Sequence, residues 1–448
     1  MKLAALTLAL AAPVLAQNGS VFYASQYAGA DASVQTNHCI AAAAAAGGGT
    51  CDASIFTGVH LMSQQINVCP SDNNNNPIHL ILPVAGTWEW GLTDGVSCGI
   101  KQCSGASISS PATLGSGGAH LVLKPSSPST NMDSLYCTDP HAPGDGWGYY
   151  YASGFSAKNV DGNIGPRVMF VHGLIHIQKF YDQSTWRYIG AQNAYGDAWH
   201  IDSGCCGASF DHINASASQA SGVPQATQGG IPLTIGTGTW IPSASIKSGS
   251  NVLTASQTNL TSAYIGMYIN VLGGAGIPPG TTVTAVTPST LTMSASASAT
   301  ATGLSLLLNA SNGSGPGVAG VSFRDMSVNA PEIGLPHLLL MGAYSTTSLS
   351  FSNVYMENTG TDTTTPFIFL SPDMSGIWFS NVWARAKGNP ATKYAIESHT
   401  TRPWGLLGLT TPAGINDFTN GTSHIIHPAG PAKIPQFLNI ASWTNTAP

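Results

Sequence analysis

The sequence predicts an all-β fold in which one chain winds into stacked coils, a parallel β-helix, and three observations predict it. First, VSFRDMSVN (Val321–Asn329), LSFSNVYMEN (Leu349–Asn358) and IWFSNVWARA (Ile377–Ala386) share one grammar, and their phenylalanines, Phe323, Phe351 and Phe379, recur every 28 residues. Each segment reads as a strand, a corner at Asp325, Asn353 or Asn381, and a second strand. Asn tolerates the left-handed backbone of such a corner, and Asp does so less well. Second, an apolar third strand precedes two of the repeats: HLLLMG (His337–Gly342) and PFIFLS (Pro366–Ser371). Third, the chain is rich in Gly, Ser, Thr, Ala and Asn, lacks long amphipathic patterns, and otherwise reads as short strands and turns. One such coil leaves its backbone ladder and its apolar face unsatisfied, so coils must stack. The grammar extends upstream to Val168–His172 and Ala208–Ile213, with His172 and His212 at the corner.

These repeats resemble the pectate-lyase-like right-handed parallel β-helix proteins. The N-terminal segments Tyr27–Ser54 and Ile78–Trp90 are similar to the opening of that family: a Gly-Ala-Asp segment, a capping helix, a Gly-rich turn, then an apolar strand ending in Gly-Thr-aromatic. The resemblance spans roughly residues 25–230 and 315–400. It implies a right-handed, single-chain solenoid with an N-terminal capping helix, and chemistry on polysaccharide at an outer strand face.

From the N-terminus, MKLAALTLALAAPVLAQ reads as a secretory signal peptide over residues 1–16, cut after Ala16. Its apolar stretch is too short to span a bilayer, and no later stretch reaches the ~20 apolar residues of a membrane helix. A secreted protein is therefore expected. Eight cysteines, all at or before Cys206, fit disulfides in an oxidising compartment, with connectivity open and no C-x-x-C pair for zinc. The alanine-rich stretch Ser33–Ala46, stopped by Gly47-Gly48-Gly49, is the expected helix. The N-terminal cap and first part of the β-helix occupy residues 17–240, and the second part 310–400. Between them, residues 241–309 break the pattern. From Ser245 to Leu308 there is no cysteine and one charge, Lys247, and the residues alternate as in antiparallel strands, which reads as an inserted β-rich module. It resembles modules of bacterial and phage surface proteins; a plain spacer is the other reading. Residues 401–448 read as a C-terminal cap or irregular tail.

The net charge of −6 and the scattered Lys and Arg exclude the basic stripe that nucleic acid requires. Only 8% of residues are charged, yet GDAWHIDSGCCGASFDHI (Gly196–Ile213) holds three Asp, two His and two Cys. Alternation sends Trp199 and Ile201 to the core and Ala198, His200 and Asp202 outward, with Asp197 at the start of the strand. Phe210 then points inward, Asp211 outward, and His212 takes the corner. Asp197, His200, Asp202 and Asp211 are therefore the candidate catalytic groups. Glycoside hydrolysis needs two carboxyl groups. Lyase chemistry needs a base for the proton beside a uronate carboxylate and a cation to neutralise that carboxylate. Lys179 and Arg187 are the nearest cations in sequence. Trp186, Tyr188 and Tyr195 are candidate sugar-stacking rings, if exposed. The three acids could also hold a Ca²⁺ ion; no other metal or cofactor is expected. Cys205-Cys206 reads as a clamp after the charged strand.

Two finer resemblances concern the chemistry. Asn193–Ser203 is similar in register to the Asn-Thr-Asp-Gly strand of polygalacturonases, and only Asp197 carries over. The Asp-Asp pair, Gly-His-Gly and Arg-x-Lys of that family are missing, and the next coil, Gln228–Gly236, has no acid. Asp139-Pro140-His141 matches a tripeptide of alginate epimerases and related β-helix enzymes, and also reads as a tethered turn. The expected function is polysaccharide cleavage by lyase or hydrolase chemistry. The alternative is a non-catalytic glycan-binding or adhesin-like scaffold.

Overall fold

The computed structural model describes residues 20–69, 77–90, 98–111, 118–123, 131–132, 134–139, 149–159, 169–170, 173–181, 183–194, 197–217, 230–255, 260, 262–272, 276–309, 317–329, 335–341, 347–358, 366–371, 374–386, 396–398, 404–410, 415–417 and 443–445. The signal-peptide reading and most of the tail lie outside them, as do Tyr195, Pro140, His141 and the proposed corner at His172. The described strands form a parallel β-helix with three wound sheets. In the first sheet, Cys98–Cys103, Ser134–Asp139, Ile175–Phe180, Trp199–Cys205, Leu233–Ile235, Leu338–Leu340 and Ile368–Leu370 follow one another in parallel register. The second sheet includes Ser107–Ser109, Tyr151–Ser153, Thr185–Arg187 and Ser209–Asp211, and the third Gly86–Trp90, Ala119–Leu123, Phe155–Asn159 and Gly190–Ala194. The long strands Val318–Asn329, Thr347–Asn358 and Ile377–Ala386 each run through both of these sheets, bending at the corner.

The corners lie where the repeat predicts them. His212, Asp325, Asn353 and Asn381 have φ between 52° and 55°, the left-handed region. The Asn381 side-chain amide donates to Asn353 Oδ1 at 2.7 Å, and the Asn353 amide donates to Asp325 Oδ1 at 2.8 Å. This ladder links three coils outside the core. Inside, Trp186, Phe210, Phe323, Phe351 and Phe379 occupy successive register positions, and neighbouring rings stack with centroids 4.7–5.0 Å apart. Gly204 sits beside the Phe180 ring, where a Cβ would meet ring carbons at 2.4 Å, so only glycine lets that ring enter the core.

The helix spans Ala32–Ala45, and the Asp31 side chain caps it by accepting from the Ser33 and Val34 N–H groups. Disulfides join Cys39–Cys51, Cys69–Cys103, Cys98–Cys137 and the adjacent Cys205–Cys206. They tie the first coils and the charged strand, where sequence spacing left the pairing open. Residues 238–309 hold a separate six-stranded antiparallel sheet with its own core. Chain order places it between the first-sheet strand Leu233–Ile235 and the second-sheet portion of Val318–Asn329. Its Trp240 and Leu307 pack with Leu339, Met341 and Phe369, and so cover the outer face of the first sheet beyond Thr234. Among the described residues no helix is long and apolar enough to cross a membrane.

Replacing Phe351 by Ala opens a hole in the ring stack and is expected to cost roughly 3–5 kcal/mol of stability. Trp383, exposed on an outer face, is expected to change stability by no more than about 0.5 kcal/mol when truncated. Urea titration of the two variants checks both values.

Candidate functional site

The first sheet builds its outer face from alternate residues, in register from coil to coil. One column runs Lys101, Cys137, His176, His200, Thr234, Leu339, Phe369. Trp199 and Ile201, flanking His200, are fully buried in the core, as alternation predicts. Ala198 departs from the expectation: it is buried in that core too, because it sits in the bend before the strand begins at Trp199.

His200 is nearly enclosed and stands between two carboxylates. Its Nδ1 lies 2.9 Å from Asp197 Oδ2, and its Nε2 lies 3.1 Å from Asp202 Oδ1. Asp197 is held in turn by the Ile231 N–H, which donates to Oδ1 at 3.0 Å. Asp202 also meets His176, whose Nε2 is 2.9 Å from Oδ2. The two imidazoles sit edge to face with centroids 6.0 Å apart. The Nδ1 contact is a hydrogen bond, the Nε2 contact is an ion-pair approach without hydrogen-bond alignment, and the two carboxylates together favour the doubly protonated ring. Burial alone pushes the His200 pKa down, but Asp197 and Asp202 outweigh it and push it up to about 10. Burial likewise pushes the Asp202 carboxyl up, and His176 and His200 outweigh that and hold it well below the usual carboxylate range. Farther along the same face, Lys101 Nζ pairs with the Asp139 carboxylate.

The sequence-predicted residues separate into groups. Asp197, His200 and Asp202 come together. Asp211 does not join them. It belongs to the second sheet, where Arg187 is its register neighbour and its Oδ1 lies 2.9 Å from His212 Nδ1. Tyr188 completes that corner, its ring 4.8 Å from the His212 ring and 4.8 Å from the Arg187 guanidinium. The grouping of Asp211 with the other three catalytic candidates is thus corrected: a bend at Cys206–Gly207 separates the strands, and Asp211 faces out from the next sheet. Trp186 is corrected as well. It is fully buried, stacked on Phe210 at 4.7 Å, and inaccessible to a sugar. Lys179 pairs in register with Ser203 and places its ammonium 4.9 Å from the Tyr181 ring.

The residues do not fit a Ca²⁺ ion held by Asp197, Asp202 and Asp211. Their oxygens do not converge, and the His200 imidazolium occupies the space between the first two. Asp211, His212 and Asp325 do bring one ligand atom each within 4.8 Å of one another, at a largely exposed corner beside Arg324.

Sequence reasoning missed His176 and Lys101. The signal for His176 was present: Ile175-His176-Ile177 repeats the apolar-His-Ile pattern of Trp199-His200-Ile201 one coil earlier. Lys101 required the register across three coils.

No known protein family and no curated protein matches this chain by sequence. Among solved structures, the A-module of the mannuronan C-5 epimerase AlgE6 from Azotobacter vinelandii is similar at a TM-score of 0.39 and 8% identity, over 90% of this chain and 91% of its own.

The shifts fix a pH dependence. An unfolded imidazole titrates near ~6.5, and native His200 near 10. Between these values the native state holds a proton that the unfolded state releases, so stability falls as pH rises through that window. Denaturant titrations from neutral pH to pH 10 should show this loss in the wild type and a much flatter profile in His200→Gln. Equal slopes in the two would contradict the assignment.

Proposed function

We propose that the chain is an exported polysaccharide-active protein that acts on acidic glycans at the outer face of its first sheet, by proton abstraction next to a uronate carboxylate. The observation that carries the reading is the concentration of ionisable groups on one face of a chain with 8% charged residues. Lys101 with Asp139, His176, and His200 between Asp197 and Asp202 stand on neighbouring coils.

The geometry favours this chemistry over hydrolysis. Hydrolysis needs two carboxyl groups with the glycosidic carbon between them, and in inverting enzymes a water as well. Here the space between Asp197 and Asp202 holds the His200 ring. Proton abstraction needs a cation to offset the substrate carboxylate, a group to take the proton and a fixed array to orient both. In this reading Lys101 meets the carboxylate, His176 handles the proton, and the doubly protonated His200, held between Asp197 and Asp202, supplies fixed positive charge beside it. The reaction then ends either in elimination of the glycosidic oxygen or in return of the proton to the opposite face of the sugar. The four disulfides and the signal-like N-terminus support export.

Incubation with polygalacturonate, alginate and glucuronan should yield an ultraviolet-absorbing unsaturated uronate, or an inverted C5 seen by proton NMR. His176→Gln, which removes the proton-handling ring, should lower the rate by roughly 10²–10⁴-fold, and His200→Gln, which removes the fixed charge, by roughly 10²–10³-fold. New reducing ends without unsaturation would mean hydrolysis and overturn the mechanism. Glycan binding with no product from any substrate would favour the non-catalytic scaffold.

A further inference from the structure

The outer face of the third sheet carries a groove that the first-sheet site does not use. It has a volume of about 380 Å³ and crosses the strands Gly86–Trp90, Ala119–Leu123, Phe155–Asn159 and Gly190–Ala194. That size falls within the roughly 300–1,000 Å³ of ligand clefts. Two outward columns line it. One runs Thr87, His120, Ser156 and the other Val122, Lys158, Gln192, with the carboxylate residue Glu89 next in register to Val122 just beyond the groove. Their inward neighbours, Trp88, Leu121, Ala157 and Ala191, are fully buried, so the floor of the groove is rigid core.

The lining has an uneven chemistry. His120 Nδ1 lies 2.8 Å from Ser156 Oγ, which fixes both side chains against the sheet. Burial, with Lys158 beside it, pushes the His120 pKa down, so at neutral pH this ring is an uncharged hydrogen-bonding group. Lys158 then supplies the positive charge. Thr87 and Ser156 offer hydroxyls and Gln192 an exposed amide, while Val122 supplies apolar surface. One coil towards the N-terminus, Val59 and Leu61 continue the two columns with exposed aliphatic surface.

We propose that this groove is a second glycan-binding site, which holds a carboxylated sugar residue of a polysaccharide on a face of the β-helix separate from the His200 row. A uronate ring has the three features that the lining complements: one carboxylate for Lys158, hydroxyls for Thr87, Ser156 and Gln192, and an apolar C–H face for Val122. The groove runs along the helix axis across successive coils, which suits a chain of sugars. The inference rests on the polysaccharide reading but not on catalysis. The groove would anchor the polymer while another segment of it lies on the first sheet.

The test is calorimetric titration with tetragalacturonate, an alginate tetramer and neutral cellotetraose, in a Lys101→Gln, His200→Gln background that removes the first-sheet cation and imidazole. At least one acidic tetramer is expected to bind, and cellotetraose to bind at least tenfold more weakly. Lys158→Gln should weaken acidic binding by roughly tenfold or more, the order expected for a lost charge-assisted hydrogen bond, and Lys158→Arg should retain most of it. If Lys158→Gln does not fold, Gln192→Glu, which places a carboxylate on the exposed wall, should weaken binding in the same way. Equal affinity for acidic and neutral tetramers, no binding at all, or unchanged affinity in these variants would overturn the groove. Turnover of polyuronate that is unaffected by Lys158→Gln, with no groove binding, would overturn this site alone. Groove binding without turnover would overturn only the catalytic reading.

Discussion

A parallel ladder satisfies its backbone groups only between one coil and the next, so every strand must lie in register with its neighbours, and that register decides where each outward side chain stands. In this chain the register is secured twice. Stacked rings from Trp186 to Phe379 secure it within the core, and hydrogen-bonded corners from Asp325 to Asn381 secure it at the surface. A slip of one residue would turn the core face outward. Both devices oppose it, because an aromatic ring and a left-handed corner cannot exchange places with their neighbours.

The charged row depends on this constraint. His176 and His200 are separated in sequence by a full coil, and the ladder alone makes them neighbours. Asp202 then serves both rings, and Asp197, placed by the bend before the strand, closes the far side of His200. Breaking one partner of such a buried charge cluster leaves another charge uncompensated, which makes the cluster costly to disturb and stiff once formed. The next coil changes character: Thr234 follows His200, and Leu339 and Phe369 follow it under the apolar cover of Trp240 and Leu307. The six-stranded sheet of residues 238–309 thus ends the polar row on one side, and Lys101 with Asp139 extends it on the other.

What could be read from the sequence follows the range of each interaction. The coil period, the corners at Asn353 and Asn381, the inward Trp199 and Phe210 and the outward His200 and Asp202 are local patterns, and the fold repeats them. The helix was legible from its alanines and its terminal glycines. The placement of Asp211 was not, because alternation says that a side chain faces outward without saying from which of three sheets. Trp186 was misread for a related reason: its strand is three residues long, too short for alternation to separate a core ring from a surface one. The pairing of His176 with Asp202 and of Lys101 with Asp139 arises between coils, where sequence separation carries no distance information until the register is known.

The central claim is that folding holds a charged imidazole between two carboxylates on the outer face of the first sheet. Nitrogen-15 NMR of the histidine rings, with His200→Gln for assignment, tests it most directly. His200 is expected to keep both ring protons through pH 8 and to titrate only near pH 10. A His200 ring that loses a proton near its ordinary value of about 6.5 would contradict it.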